Sequence, residues 1–384
     1  MSLPDSMASR RDAKPAQKRL TVAYVLAYRA PDFIRSRSLL IALEACDGIK
    51  LTVARNHSTG MARYFETWRA LRQLRKSFAP DLYVLGFRGH EMYWPVRWLT
   101  RGKPLVFDAL MSPSASLHEE NKTGFIGQMI APLLRWLEIG ILHDADLVLT
   151  DTEQHIDFYV DRYELPRKKL LAVPVGALEG ATTPDQQDQH SVQNAFSVLF
   201  YGSMLPLHGV DVIVAAAAQL RDLPIRFDFI GGGAKQARRL RQLCERLGVT
   251  RYTHRAWVPL HELVDTEIPR ADLCLGGPFG GTPQGRRVIT SKTSQALALG
   301  KATVIGAIDE DIGWIDKDNC LLVPQADPDA LVAALRWAFA ERNALSRIGA
   351  RGHTLYQQKL SVHAIAQRLC PALRELHDRW RTGR

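Results

Sequence analysis

The residues best suited to chemistry lie between Arg286 and Gly300, where Arg286-Arg287-Val288-Ile289-Thr290-Ser291-Lys292-Thr293-Ser294-Gln295 runs into Ala296-Leu297-Ala298-Leu299-Gly300. Three cations, Arg286, Arg287 and Lys292, stand among the hydroxyls of Thr290, Ser291, Thr293 and Ser294, where the apolar spacing predicts a helix over Thr293–Leu299. A helix start carries backbone N–H groups with no intrahelical partner and the positive end of the peptide dipole. Cations beside such a start make an anion site. Arginine adds a two-pronged fork that fits phosphate oxygens, and lysine adds a point charge. The chemistry this implies is the holding of a diphosphate; the competing reading is a solvated basic loop.

Two glycine turns extend the site. Gly202-Ser203-Met204-Leu205-Pro206-Leu207-His208-Gly209 follows an apolar run and precedes a helical one, so its backbone donors, the Ser203 hydroxyl and the His208 ring can reach a ligand or simply shape the turn. Gly231-Gly232-Gly233 also sits between strand and helix, but it lacks the G-x-G-x-x-G spacing of a dinucleotide loop. Gly232 and Gly233 thus read as a close backbone approach to ligand or as a tight turn. Trp257 and Val258 close an expected strand, Arg255–Val258, as a platform for a base or as core. Asp108 ends the expected strand Pro104–Leu110, where a carboxylate either orients a hydroxyl and supports a cationic transition state or structures the cleft. Arg35 and Arg37 either meet ligand or lie exposed on a helix. The acidic runs Asp309-Glu310-Asp311 and Asp316-Lys317-Asp318 have no third ligand in place, read as solvated loops, and give no reason to expect a metal.

The elements that must carry these residues alternate. Apolar runs at Leu20–Leu26, Lys50–Arg55, Asp81–Phe87, Pro104–Leu110, Asp146–Asp151 and Leu170–Val175 alternate with helical spacing at Ile34–Ala45, Tyr64–Phe78, Glu91–Leu99, Gly124–Leu142 and Glu153–Tyr163. That is the pattern of βαβ units around a parallel sheet. The pattern restarts with strands at Ser197–Tyr201, Arg226–Ile230, Arg255–Val258, Leu273–Leu275, Ala302–Ile305 and Cys320–Val323. The expected organisation is a polar tail (1–19), a Rossmann-like domain (20–178), a linker (179–195), a second Rossmann-like domain (196–360), and a last helix (361–384). Two such domains facing one another put the carboxyl ends of both sheets on one cleft.

Composition limits the alternatives. The 384 residues are 46% hydrophobic and 23% charged, as expected of a globular chain with two cores. Net charge is +10, of which +3 falls before residue 190 and +7 after it, so the half with the expected phosphate site is the more basic. No nucleic-acid-binding module accompanies that charge. The five cysteines are far apart in sequence without a C-x-x-C pair, which makes a zinc site or a disulfide framework an improbable reading and a reducing cytoplasm the natural compartment. No run approaches the length of a membrane span. The segment Arg63–Lys76 pairs an apolar stripe with several cations; it either lies on an anionic leaflet, as a peripheral membrane contact, or packs as a surface helix.

Phe200–Asp211, Phe229–Gly233, Ala271–Gly276 and Lys292–Ile305 resemble, in order, the landmarks of the nucleotide-sugar half of family 4 glycosyltransferases. The resemblance implies the α/β GT-B fold, with the last helix (361–384) packing back on the first domain, and a nucleotide-diphosphate sugar as donor, UDP- or GDP-linked. It also implies no metal or other cofactor, and transfer with retention to a saccharide or lipid-linked acceptor in cell-surface polysaccharide or glycolipid synthesis. Taken together with the residue chemistry above, it leads to Gly202, Ser203, His208, Gly209, Gly232, Gly233, Trp257, Val258, Arg286, Ser291, Thr293 and Gln295 as expected donor contacts, and to Asp108, Arg287 and Lys292 as the expected residues of the chemistry. Departures are visible. Ser203 and His208 stand where the family carries an arginine and a lysine, and Arg287 and Gln295 stand where it carries two glutamates. An amide can still hold a ribose diol, whereas Arg287 cannot replace a carboxylate. An inactive relative that binds nucleotide or sugar is therefore the second reading.

Overall fold

The computed structural model describes residues 19–119, 124–178 and 195–383; the expected tail and linker fall almost wholly outside the described residues. The first sheet comprises β1 (Leu20–Leu26), β2 (Ile49–Arg55), β3 (Leu82–Leu85), β4 (Leu105–Asp108), β5 (Leu147–Thr150) and β6 (Leu170–Ala172), all parallel, in the order β2-β1-β3-β4-β5-β6. Its helices are α1 (Ile34–Glu44), α2 (Ala62–Phe78), α3 (Tyr93–Leu99), α4 (Pro113–Glu119), α5 (Gly124–Asp144) and α6 (Glu153–Tyr163). Strands β3, β4 and β5 are buried along their whole length, which is why they read as apolar runs, with Asp108 and Thr150 the polar residues at the carboxyl ends of β4 and β5.

The second sheet comprises β7 (Phe196–Tyr201), β8 (Ile225–Ile230), β9 (Tyr252–Arg255), β10 (Leu273–Leu275), β11 (Thr303–Gly306) and β12 (Leu321–Val323), again parallel, in the order β12-β11-β10-β7-β8-β9. Between and after its strands run α7 (Val210–Gln219), α8 (Ala234–Leu247), and α9 (Leu260–Glu262) joined by a π turn to α10 (Ile268–Arg270). They are followed by α11 (Pro283–Arg287), α12 (Ser291–Ala298), α13 (Pro328–Ala340), α14 (Arg342–Lys359) and α15 (Val362–Thr382). In both sheets the chain begins on an inner strand, builds outward on one side and then crosses to the other. The reversal falls between β1 and β3 in the first sheet and between β7 and β10 in the second. Ligands of open parallel sheets bind at the carboxyl ends of strands at such a reversal.

Three differences from the sequence reading have physical reasons. Strand β9 is Tyr252–Arg255 rather than Arg255–Val258, because an edge strand with alternate residues exposed has no apolar run to mark it. Helices α4 and α11 were not expected; both are short and begin with proline, whose fixed φ suits a first helical turn. Cys46, just after α1, and Cys370 of α15 form a disulfide across 324 residues, with Cα atoms 5.8 Å apart, which corrects the expectation of unpaired cysteines. The pairing follows from α15 packing against α1 and delivering Ile365, Leu369, Leu373 and Leu376 into the core formed by β1, β3 and β4. The last helix thus belongs to the first domain's core.

Candidate active site

At the reversal of the second sheet, the loops after β7 and β10 meet the start of α12. Thr290 caps that helix: its hydroxyl accepts from the N–H of Thr293 (3.3 Å) and donates to the carbonyl of Gly276 (2.7 Å). The Thr293 hydroxyl donates to Gly277 (3.4 Å), so the turn after β10 is stitched to the first turn of α12. Tyr201, the last residue of β7, donates its hydroxyl to the carbonyl of Lys292 (3.2 Å). Ser291 is partly exposed at the opening of this turn.

Lys292 is the central cation. It is 4% exposed, its ammonium lies 5.6 Å from the centroid of the Phe200 ring, and a Cβ added to Gly202 would stand 3.7 Å from its Nζ. Burial lowers its pKa from 10.5 to about 7, because a charged amine loses its hydration there. An incoming anion restores the charged form. The site is therefore a desolvated amine next to a helix start, an arrangement that gains most from a phosphate.

The glycines frame this amine. Gly202 has φ +135°, accepts the N–H of Gly232 (2.9 Å), and packs so closely under Gly231 that a Cβ on Gly231 would lie 2.5 Å from the Gly202 carbonyl oxygen. Gly232 has φ +73°, and Gly233 caps α8 with its backbone. Gly209, with φ +62°, approaches the Phe279 backbone, leaving no room for a side chain. His208 is buried, and a Cβ on Gly202 would stand 3.6 Å from its Cε1. Its Nδ1 accepts the N–H of Leu205 (3.1 Å), which places the proton of the neutral ring on Nε2. Ser203 is exposed beside it. Gly202, Ser203, His208 and Lys292 thus come together.

Other expected residues lie elsewhere. Arg286 is exposed on α11, and Arg287 reaches across to the first domain, where its guanidinium stacks over Phe158 of α6 at 4.0 Å and its carbonyl accepts the Thr152 hydroxyl (2.5 Å). Gln295 is also committed across the domains: its Oε1 accepts from Leu178 N (3.0 Å) and its Nε2 donates to Leu178 O (2.7 Å). Glu310, expected in a solvated loop, accepts from Gln154 N (3.1 Å). Trp257 is 63% exposed beyond β9, not core, and Val258 packs partly against the cluster around Leu199 and Ile230.

Asp108 departs furthest from expectation. It is fully buried and salt-bridged to equally buried Arg35 at 2.9 Å, so its carboxylate has no surface on which to meet an acceptor. Arg35 is held further by the carbonyls of Thr150 (3.1 Å), Pro174 (3.2 Å) and Val173. Desolvation raises the Asp108 pKa against the lowering effect of Arg35. This pair ties α1, β4, β5 and the segment after β6 into one frame. Sequence reading weighed Arg35 as a ligand contact and did not foresee its partner, 73 residues away. His90, in the turn after β3, and Glu138 of α5 were also missed; neither sits in a motif.

Residues 195–341 match the family described as glycosyl transferases group 1. No curated protein matches the chain. Among solved structures, the chain is similar to sucrose-phosphate synthase from Thermosynechococcus elongatus, with TM-score 0.70 and 18% identity over 94% of this chain and 100% of that one. It is similar to Anabaena HepE in complex with UDP-glucose, with TM-score 0.66 and 16% identity over 93% and 100% of the two chains. A third likeness is to S. aureus TarM in complex with Fondaparinux, alpha-GlcNAc-glycerol and UDP, with TM-score 0.59 and 12% identity over 81% of this chain and 59% of that one. These structural likenesses establish the GT-B architecture.

Proposed function

We infer that this chain, a glycosyltransferase whose second domain matches the group 1 family, transfers a sugar from a UDP-linked donor to a hydroxylated acceptor held by the first domain. The observation that carries the reading is Lys292, a buried amine at the start of α12, at the sheet reversal and against Gly202. UDP is preferred over GDP because the HepE and TarM structures to which the chain is similar contain UDP or UDP-glucose.

In this reading the diphosphate lies along the Gly202–Met204 turn, its oxygens met by protonated Lys292, the first N–H groups of α12 and Nε2–H of His208. As the bond from the sugar to the diphosphate breaks, negative charge grows on the leaving oxygen. Donors already fixed in place stabilise that charge without reorganising. Trp257 offers an exposed ring for the base. The acceptor proton passes to the donor's own phosphate, and the new bond forms on the face the diphosphate leaves, with retention. Arg287 and Gln295 hold the two domains in register. The acceptor is a saccharide or lipid-linked saccharide of a cell-surface glycan.

Calorimetric titration with UDP and GDP, followed by a donor-hydrolysis assay, tests the donor site; absence of nucleotide binding overturns the reading. Product NMR tests the stereochemistry, and an inverted anomeric centre overturns retention. A binding-only relative is favoured by one observation: Arg287 and Gln295, standing where the resemblance expects carboxylates, are both spent on interdomain contacts. Tight UDP binding without donor turnover is its signature.

A further inference from the structure

The segment that carries the chain out of the first domain is gripped between α1 and α15. A Cβ added to Gly176 would stand 3.1 Å from Ser38 Cβ of α1, 3.1 Å from Ile365 Cδ1 of α15 and 3.5 Å from the carbonyl oxygen of Leu360, where the chain returns. Just beyond, the Ala177 N–H donates to the Tyr356 hydroxyl (3.3 Å), and Leu178 exchanges two hydrogen bonds with Gln295 of α12. Residues 173–178 therefore lie where the domains join, and their position passes through Leu178 to the helix that carries Lys292. How tightly α1 and α15 hold this segment decides how freely the domains move.

The Cys46–Cys370 bond joins the end of α1 to the middle of α15 and so limits how far these two helices can part around Gly176. Of the five cysteines, this pair has the most surface: Cys370 is 8% and Cys46 4% exposed, against 1% or less for Cys244, Cys274 and Cys320. Ala45, Asp47 and Gly48, on either side of Cys46, are exposed, so solvent stands at the edge of the bond. The helices are also held without it. Arg374 of α15 donates to the carbonyl of Asp47, and Ile365, Leu369 and Leu373 are buried in the shared core. Opening the bond thus loosens the grip while leaving the two sulfurs close enough to join again.

We propose that Cys46 and Cys370 form a reversible redox clamp on the interdomain hinge, in which the disulfide stiffens residues 173–178 between α1 and α15 and the dithiol frees them. The exchange partner is a small thiol. Its thiolate attacks the sulfur of Cys370, the more exposed of the two residues, to form a mixed disulfide, and Cys46 leaves as a thiolate that takes up a proton. A second small thiolate attacks the outer sulfur of the mixed disulfide and releases Cys370. The protein gains two electrons and two protons, and two small thiols become one disulfide.

The full chain is equilibrated in glutathione buffers from oxidising to reducing, with free thiols counted by alkylation and mass spectrometry and the hinge followed by amide hydrogen exchange. Three thiols are expected at the oxidising end and five at the reducing end, in one step that reverses. The amides of Ala177 and Leu178 should exchange at least tenfold faster in the reduced chain, while those of β4 and β5 change little. Cys370→Ser and Cys46→Ser should each exchange at the fast rate in every buffer. The natural chain compared with itself carries the test even where a variant fails to fold. Five thiols in every buffer, a bond that no buffer opens, or hinge exchange that ignores the state of the pair overturns the proposal. Equal acceleration across the whole first domain also overturns it, since the bond then staples the core and not the hinge. Neither measurement uses a nucleotide, so failure here leaves the donor reading standing.

Discussion

Replacing Lys292 with methionine separates its two effects, which have opposite signs. Methionine keeps an apolar stem of similar length and removes the charge. Moving the amine from 10.5 to about 7 on folding corresponds to roughly 5 kcal/mol against the folded state while the amine is protonated in the unfolded chain, since each tenfold change in proton affinity is ~1.4 kcal/mol. The unfolded chain holds that proton up to pH 10.5 and the folded chain releases it near 7. The penalty is therefore fully present below about 7 and fades as pH climbs toward 10.5. Lys292→Met should melt several degrees above the natural chain at pH 6 and lose that advantage at alkaline pH, as read by calorimetry. The same substitution removes a charge-assisted contact to the diphosphate worth about 1.5–3 kcal/mol, so UDP-glucose affinity should fall roughly tenfold to a hundredfold. UDP-glucose is the right ligand because its diphosphate has no ionisation near neutrality. In the natural chain its dissociation constant should approach a tenfold rise per pH unit above about 7, and Lys292→Met should flatten that slope. A variant that loses affinity with no gain in stability, or a pH slope that survives the substitution, refutes the argument that a desolvated amine is the anion site.

Asp108→Asn leaves Arg35 buried beside a neutral amide, and should cost about 3–5 kcal/mol in chemical denaturation, with UDP affinity unchanged in the protein that remains folded. Gln295→Ala removes two hydrogen bonds to Leu178 and should cost about 1–3 kcal/mol of thermal stability; a tenfold loss of UDP affinity at unchanged stability would return it to the ribose. Trp257→Ala, at an exposed position, should leave melting unchanged and weaken UDP binding by about 0.5–1.5 kcal/mol, or roughly two- to tenfold.

Both sheets could be read from the sequence because strands buried on two faces must be continuously apolar and the helices between them must be amphipathic. That logic fails at Tyr252–Arg255, an edge strand in which alternate residues meet solvent. The helix start at Thr290–Gln295 was readable because capping hydroxyls, a cation and a run of small residues are all local signals. The roles of Arg287, Gln295 and Asp108 were not, since each is fixed by a partner distant in the chain: Phe158, Leu178 and Arg35. Cys46 and Cys370 carry no spacing signal at a separation of 324 residues.

The position of α15 also sets an order of events during synthesis. Residues from Leu20 to Val173 share their core with Ile365 to Leu376, so this interior cannot close until the chain has been made at least as far as Leu376. The second domain, whose core runs from Phe196 to Ile348 without a contribution from α15, can close earlier. The apolar face of α1 waits meanwhile without its partner. The two domains of such a chain complete their cores out of sequence order, and the first keeps apolar surface open until α15 has been made.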